Sequence, residues 1–524
     1  MLSKVHTAAL FGIDAYLVTV ETDLTRGLPA FYMVGLPSAT IRESKERVRS
    51  AIINSGRNFP AKRITVNLAP AANRKEGSHF DLPIAVGILI SNGEICSSAV
   101  LETGFLGELS LDGRLVKVEG ALPLVTGFQK TGIKKLILPS ANAAETAIAK
   151  GVEIIPAESL FDVIKHLRGE KRIPIYNKER KKRISVFSEM DFAEVRGQET
   201  AKRAILIAVS GGHSIYFTGP PGTGKTMLAR RIPTIMPTLS QEEMLELTKI
   251  YSIAGLLTEK EPFVHARPFR TPHPTVTEAA LAGGGRIPKP GEMSLAHRGV
   301  LFLDEFPEFG RRQIELLRQP LETGEISVER TESRAVFPAD FLLVAAGNPC
   351  KCGFFGDSMR LCTCSGNEIR LYQSKLSGPI ADRIDLQVRV EREEDTEDFG
   401  DGGLIYSSKT EKATGSREMR EAVAAALDMQ KRRYQKETEG ILTNAKLSGK
   451  SLILYCPLDR SCRRLMQEAR RAFALSERGC DRVLKVARTI ADLAQSEQIR
   501  EEHIAEALQY RMFDLSRRKG SEMG

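Results

Sequence analysis

The stretch Gly219-Pro220-Pro221-Gly222-Thr223-Gly224-Lys225-Thr226 constrains this chain more than any other. It follows the apolar run Ile215-Tyr216-Phe217 and opens a segment with Met227, Leu228 and Ile232 at helical spacing. A strand, then G-x-x-x-x-G-K-T, then a helix is a phosphate-binding arrangement. The glycines let backbone N–H groups turn inward without a Cβ in the way. The positive end of the following helix adds to the attraction for anions. All eight residues are therefore expected to cradle ATP. Lys225 should reach the β- and γ-phosphates, and the Thr226 hydroxyl should ligate Mg²⁺.

At 524 residues the chain is too long for one ordinary domain, and three or so are expected. Hydrophobic content of 42% and charged content of 27% fit a soluble globular protein. No run of 18 apolar residues occurs, so no membrane span is expected. The start, Met1-Leu2-Ser3-Lys4-Val5-His6 with Asp14 and Glu21 soon after, reads as neither signal nor transit peptide, so a cytoplasmic location is expected. A formal charge of +9 permits a nucleic-acid partner without proving one.

Residues 1–167 read as a compact α/β domain. Ala15 to Val20 alternates as a strand, Ser38 caps a helix through Glu43, and Ile64 to Leu68 is a second strand. Leu82 to Ile90 is a buried helix, Phe105 to Leu115 a hairpin with an Asp-Gly turn, and Lys134 to Leu138 a late strand. The hairpin and the segment Gly120 to Gly132 resemble the proteolytic domain of Lon-type proteases. That family uses a Ser–Lys dyad, with its serine in a Gly-Pro-Ser-Ala-Gly-like turn. The matching stretch here, Gly77-Ser78-His79-Phe80-Asp81-Leu82, lacks that turn, and the lysine positions align with Leu122 and Leu124. A serine without its base is inert, so a scaffold or partner-binding domain is expected instead of a protease.

Residues 168–190 read as a basic linker carrying Arg168, Lys171, Arg172, Lys178, Arg180, Lys181, Lys182 and Arg183. A solvated tether and a nucleic-acid contact are both open readings. From 191 to 412 the ATPase core follows. Gly299 to Glu305 is an apolar strand ending in two acids. Asp304 is expected to hold Mg²⁺ and Glu305 to polarise the attacking water. Phe341 to Ala346 is the next buried strand, with Asn348 past its end placed to position that water. Leu376 to Asp385 leads into a further strand, Leu386 to Val390. Arg383 there has two readings, an arginine received by a neighbouring subunit or a surface ion pair.

Together these pieces resemble the AAA+ ATPases. The branch they look like has an extra hairpin before sensor 1 and an insert in helix 2, and includes magnesium chelatase and the minichromosome maintenance helicases. Phe269-Arg270-Thr271-Pro272-His273, Gly283 to Glu292, Ser294 to Gly299 and Leu376-Ser377-Gly378-Pro379 narrow the resemblance to the ComM/YifB family. It covers essentially the whole chain. It implies a P-loop AAA+ core with a parallel sheet and, over 413–524, a helical lid. Asn348 is then sensor 1, Arg383 an arginine finger acting in trans, and Arg478, just before a helix from Val483 to Leu493, the sensor 2 arginine. The resemblance also implies a homo-hexamer working on single-stranded or branched DNA as a branch-migration helicase. A chelatase-like subunit that remodels a protein partner is the rival reading. One departure is that two histidines are expected after Arg270-x-Pro, whereas Pro274 follows His273.

Cys350, Cys352, Cys362 and Cys364 form C-x-C, nine residues, C-x-C. Four thiolates at the two ends of one loop suit tetrahedral structural Zn²⁺, with unliganded thiols as the alternative. Arg286 and Lys289 lie in a Gly/Pro-rich insert, where positive charge suits contact with DNA phosphates. An ordinary solvated loop is the alternative there. The chain has no Trp, so tracking of the DNA backbone is a stronger expectation than base stacking.

Overall fold

The computed structural model describes residues 2–129, 131–177, 190–285, 288–330, 333–375, 383–392, 414–435 and 443–511. The candidate DNA contact Arg286, the run Leu376-Ser377-Gly378-Pro379 and the basic residues from Lys178 to Arg183 lie outside the described residues.

The N-terminal segment builds a seven-stranded sheet. Its strands run across the sheet in the order Ala30–Val34, Arg63–Ala69, Asp14–Thr25, Leu2–Phe11, Thr103–Phe105, Lys135–Pro139 and Glu153–Ala157. The alternating pattern of Asp14–Thr25 points Val18, Val20 and Leu24 into the core. Helix Asp81–Ser91 is buried along its whole length, which explains why it reads as unbroken apolar sequence. Helix Ala39–Asn54 begins where Ser38 accepts a hydrogen bond from the Ile41 amide, a cap worth about 1 kcal/mol. The hairpin is shorter than its sequence suggests. Phe105 closes a strand of the main sheet, and only Glu108–Leu109 pairs with Leu115–Val116 around Asp112-Gly113.

Ser78 donates a hydrogen bond to the Glu108 carboxylate, and Leu122 and Leu124 are wholly buried core residues. Lys75, also buried, is held by the carbonyls of Gly35 and Pro70. The start of the basic segment also differs from a free tether. The Ile173 amide bonds His166 Nδ1 at 2.9 Å and the Tyr176 amide bonds the Ile154 carbonyl at 2.8 Å, which lays this stretch along the edge strand Glu153–Ala157.

The ATPase segment builds a five-stranded, all-parallel sheet in the order Phe269–Arg270, Val300–Leu303, Leu342–Gly347, Ile215–Thr218, Leu386–Arg389. A parallel sheet covered on both faces demands continuous apolar strands. Val300–Leu303 and Leu342–Gly347 are accordingly buried at every residue. A hairpin, Glu325–Arg330 with Ser333–Pro338, precedes Leu342–Gly347. A smaller pairing of Gly283–Gly284 with Lys289–Pro290 forms the insert. Helices Ser416–Tyr434, Gly449–Tyr455, Arg460–Ala472, Glu477–Leu493 and Glu501–Gln509 complete the C-terminal part. Helix Glu477–Leu493 starts earlier than the sequence suggests, because Ser476 caps it through the Gly479 amide. Arg478 therefore stands in its first turn, exposed, and not in a loop ahead of it.

The N-terminal sheet and the ATPase segment touch at Gln241–Ile253, a helix begun by a reciprocal Ser240–Glu243 capping box. The Gly120 amide donates to the Ser252 carbonyl at 3.0 Å, and Lys117 Nζ to the Leu257 carbonyl at 2.6 Å.

Candidate active site

Three parallel strands end on one edge of the sheet and deliver the candidate residues together. Thr218 pairs with Gly347 and Leu303 with Ala345, so the loop 219–226, Asp304-Glu305 and Asn348 emerge side by side. Helix Lys225–Ile235 starts directly from the loop, with Gly224 in the left-handed region at φ 86°. Gly219 is required by space. A Cβ there would lie 2.1 Å from the Val390 carbonyl oxygen.

Lys225 is buried, and its ammonium donates to the Gly219 carbonyl at 2.8 Å, the Pro220 carbonyl at 2.7 Å and Thr223 Oγ1 at 3.4 Å. Burial lowers its pKa to about 8, against the pull of Asp304, which favours the charged form. Thr226 Oγ1 donates to Asp304 Oδ2 at 2.7 Å. This hydroxyl and carboxylate are the oxygen pair a hard Mg²⁺ ion requires, and they stand together next to the phosphate cradle. The Glu305 amide donates to Asp304 Oδ1 at 2.9 Å, and Glu305 adopts φ 50°. A non-glycine residue in that region is turned sharply out of the strand line, which leaves the Glu305 carboxylate exposed at the sheet edge. Asn348 is half-buried one strand away.

The cysteine loop begins directly after Asn348 and leans on the phosphate loop. Gly353, at φ 89°, sits so close to Pro221 that a Cβ would lie 2.8 Å from its ring. Arg392 Nη2 donates to the Pro221 carbonyl at 3.3 Å and lies 3.7 Å from Asp357 of the cysteine loop, while Arg389 donates to the Gly356 carbonyl. The Sγ atoms of Cys350, Cys352, Cys362 and Cys364 all lie within 4.8 Å of one another, with 3.3 Å from Cys350 to Cys352 and 3.5 Å from Cys352 to Cys362. Four thiolates 2.3 Å from a tetrahedral Zn²⁺ would stand about 3.8 Å apart, so this cluster has the donor chemistry and the approximate size of such a site. Arg392 and Gly353 are parts of this region that sequence reading missed. Neither carries a motif, and their contacts are long-range.

Other candidates fall elsewhere. Arg383 is at the opposite edge of the sheet, where the strands begin. Its carbonyl accepts from Ser214 Oγ at 2.8 Å, and its guanidinium pairs with Glu322. Arg478 is exposed, one helical turn before Arg482, which pairs with Asp385 beside Ser214. Lys289 forms an exposed ion pair with Glu119 of the N-terminal segment at 2.6 Å. His273 is exposed, with Nδ1 2.9 Å from Thr275 Oγ1, and Arg270 makes a two-pronged pair with Glu292.

An all-parallel sheet with a phosphate loop, an Asp-Glu strand end and a polar residue beyond the next strand defines the AAA+ class of P-loop protein. Comparison with known proteins refines this. The family described as "Magnesium chelatase, subunit ChlI" matches residues 191–398, "Subunit ChlI of Mg-chelatase" matches 20–142, and "Magnesium chelatase, subunit ChlI C-terminal" matches 413–511. The chain is 41% identical over 519 residues to competence protein ComM of Haemophilus influenzae, covering 97% of each. It is 40% identical over 516 residues to the uncharacterized protein YifB of Escherichia coli, covering 98% of this chain and 97% of that one. The similarity to the magnesium-chelatase 67 kDa subunit of Chlorobaculum parvum is 30% over 164 residues, 30% of this chain and 23% of the subunit. The chain belongs to the ComM/YifB family of magnesium chelatase-like AAA+ proteins.

Proposed function

We propose that this chain is an ATP-hydrolysing motor that works as a ring, most consistently a homo-hexamer, on single-stranded or branched DNA. The observation that carries the ring is a division of the site. The phosphate loop, Asp304, Glu305 and Asn348 occupy one edge of the sheet, whereas Arg383 stands at the other, with Arg478 one helical turn from the Arg482–Asp385 pair there. Four-residue strands put about 13 Å between those edges, too far for Arg383 to serve its own nucleotide. A neighbour that offers its strand-start edge completes the constellation, and head-to-tail contacts of this kind close into rings. Arg383 would exchange Glu322 for the γ-phosphate of that neighbour.

Within one subunit the geometry supports the following roles. The loop amides and Lys225 bind the phosphates, Glu305 takes a proton from water, and Asn348 orients that water. Thr226 and Asp304 would hold Mg²⁺, which neutralises charge on the β- and γ-oxygens. Lys225 sets a pH signature. Its pKa of about 8 is raised when phosphate oxygens surround it, so binding takes up a proton above that pH. ATP affinity, measured by titration calorimetry in two buffers of different ionisation enthalpy, should be flat below about pH 7.5. It should fall by up to about tenfold per unit above pH 8.

DNA as the object of the motor is supported by the competence name of the Haemophilus relative and by the basic insert with Arg286 and Lys289. The chelatase-like alternative is supported by the three magnesium-chelatase family matches, over 20–142, 191–398 and 413–511, and by a chelatase subunit that aligns with 30% of this chain. A cytoplasmic location is consistent with the absence, among the described residues, of a helix long and apolar enough to cross a membrane. The test is ATP turnover with and without single-stranded and four-way DNA, with subunit number measured in parallel. DNA stimulation by a hexamer supports the reading. Stimulation only by a protein partner favours the alternative.

The four cysteines would hold about one structural Zn²⁺ per chain. The loop braces Pro221 and follows Asn348, so Cys362→Ser should lower turnover and cooperativity between subunits before the core melts. The core has its own buried sheet and does not depend on metal to fold. Elemental analysis of protein purified without added metal decides the stoichiometry. Zinc absent from folded, reduced protein would return these residues to free thiols.

A further inference from the structure

The edge of the sheet that carries Arg383 is tied to the C-terminal helices by a buried polar chain. Ser214 Oγ donates to the Arg383 carbonyl at 2.8 Å and accepts from the Asp385 amide at 3.0 Å. The Asp385 carboxylate, nearly all of it out of solvent, meets the Arg482 guanidinium through Oδ1 and His213 Nδ1 at 3.2 Å through Oδ2. His213 Nε2 lies 2.7 Å from Thr489 Oγ1. Arg482 and Thr489 are seven residues apart on helix Glu477–Leu493, two turns along one face. The sheet edge therefore grips that helix at two points about 10 Å apart. Arg478 is one turn ahead of Arg482 on the same face.

Burial alone would push the Asp385 pKa up, but Arg482 and His213 hold it well below the usual carboxylate range, so the pair is ionic at working pH. Asp385 is almost buried, so its carboxylate fixes the direction from which Arg482, itself 21% exposed, approaches the strand start. Ile384 alone separates Asp385 from Arg383, and one helical turn separates Arg482 from Arg478.

We propose that Asp385 and Arg482 are positioning residues that join Arg383 and Arg478 into one rigid unit, presented as a block to the nucleotide of a neighbouring subunit. This rests on the ring reading above. Neither residue touches nucleotide in its own chain, whose phosphate loop lies at the far edge of the sheet. A lesion in the pair should therefore spare the chain's own ATP binding and damage the turnover of its neighbour. It should lower kcat and leave KM for ATP nearly unchanged.

The experiment uses the full chain with Arg482→Met, Arg482→Lys and Asp385→Asn, in pure and mixed rings. Arg482→Met and Asp385→Asn should lose roughly tenfold or more in kcat at unchanged nucleotide affinity, and Arg482→Lys should recover part of it. Mixed one to one with Glu305→Gln, either variant should regain turnover, because a site with an intact Glu305 then meets an intact arginine unit. Mixed with Arg383→Ala it should regain none, since both lesions sit on the same side of the interface. A subunit that had merely become unstable would not be rescued in one mixture and refused in the other. Should Arg482→Met fail to fold, the nearly isosteric Asp385→Asn carries the same test. Near-normal turnover by the pair variants while Arg383→Ala is inactive would overturn this inference and leave the ring reading standing. So would failure of Glu305→Gln to rescue them in mixtures where it rescues Arg383→Ala. Near-normal turnover by Arg383→Ala itself would overturn the ring reading, and the positioning role with it.

Discussion

Glu305→Gln is expected to bind ATP as the parent does and to lose turnover by roughly 10²- to 10⁴-fold. The exchange removes the base and preserves shape. Glu305 is exposed, turned out of its strand at φ 50°, and it contributes its amide, not its carboxylate, to Asp304. A surface change of this type usually moves stability by less than about 0.5 kcal/mol, so lost turnover would not report unfolding. Nucleotide binding and thermal melting measured beside the rate would separate the two. Hydrolysis at the parent rate would show that another group polarises the water.

Arg383→Ala should leave ATP binding nearly intact and lower turnover by roughly 10³- to 10⁵-fold, the range seen for arginine fingers. Its guanidinium pairs with Glu322 at the edge away from its own phosphate loop, so its loss has no direct route to that loop. In a one-to-one random mixture with Glu305→Gln, one interface in four joins an intact Glu305 to an intact Arg383. Turnover should return to about a quarter of the parent rate if sites act independently. No recovery in rings shown to be mixed would count against action across the interface.

The nucleotide edge was legible in the sequence because its chemistry is local. A phosphate loop is eight consecutive residues, and Asp304-Glu305 and Asn348 each close an apolar run that only a buried strand explains. Ser38 and Ile41 likewise announced a helix start from four residues. What stayed hidden is long-range. Arg482 meets Asp385 across 97 positions and Arg392 reaches Pro221 across 171, and no spacing rule links such pairs. The start of helix Glu477–Leu493 was misplaced because Gly479 interrupts the pattern and the apolar positions begin only at Val483, whereas the Ser476 cap decides the boundary. The extended run near Tyr176 read as tether because its composition is basic, while its backbone bonds to a sheet edge. For Arg383 both sequence readings survive. The ion pair with Glu322 is present, and its place at the far edge is what a finger acting in trans requires.

A motor that couples ATP hydrolysis to movement on DNA should displace a branch point. The most direct measurement follows a labelled four-way junction, with and without ATP, beside the Glu305→Gln variant. ATP-dependent movement of the branch point by the parent protein, abolished in the variant, is the expected result. A junction left unmoved while ATP turnover proceeds, unaffected by DNA and stimulated by a protein partner, would contradict it.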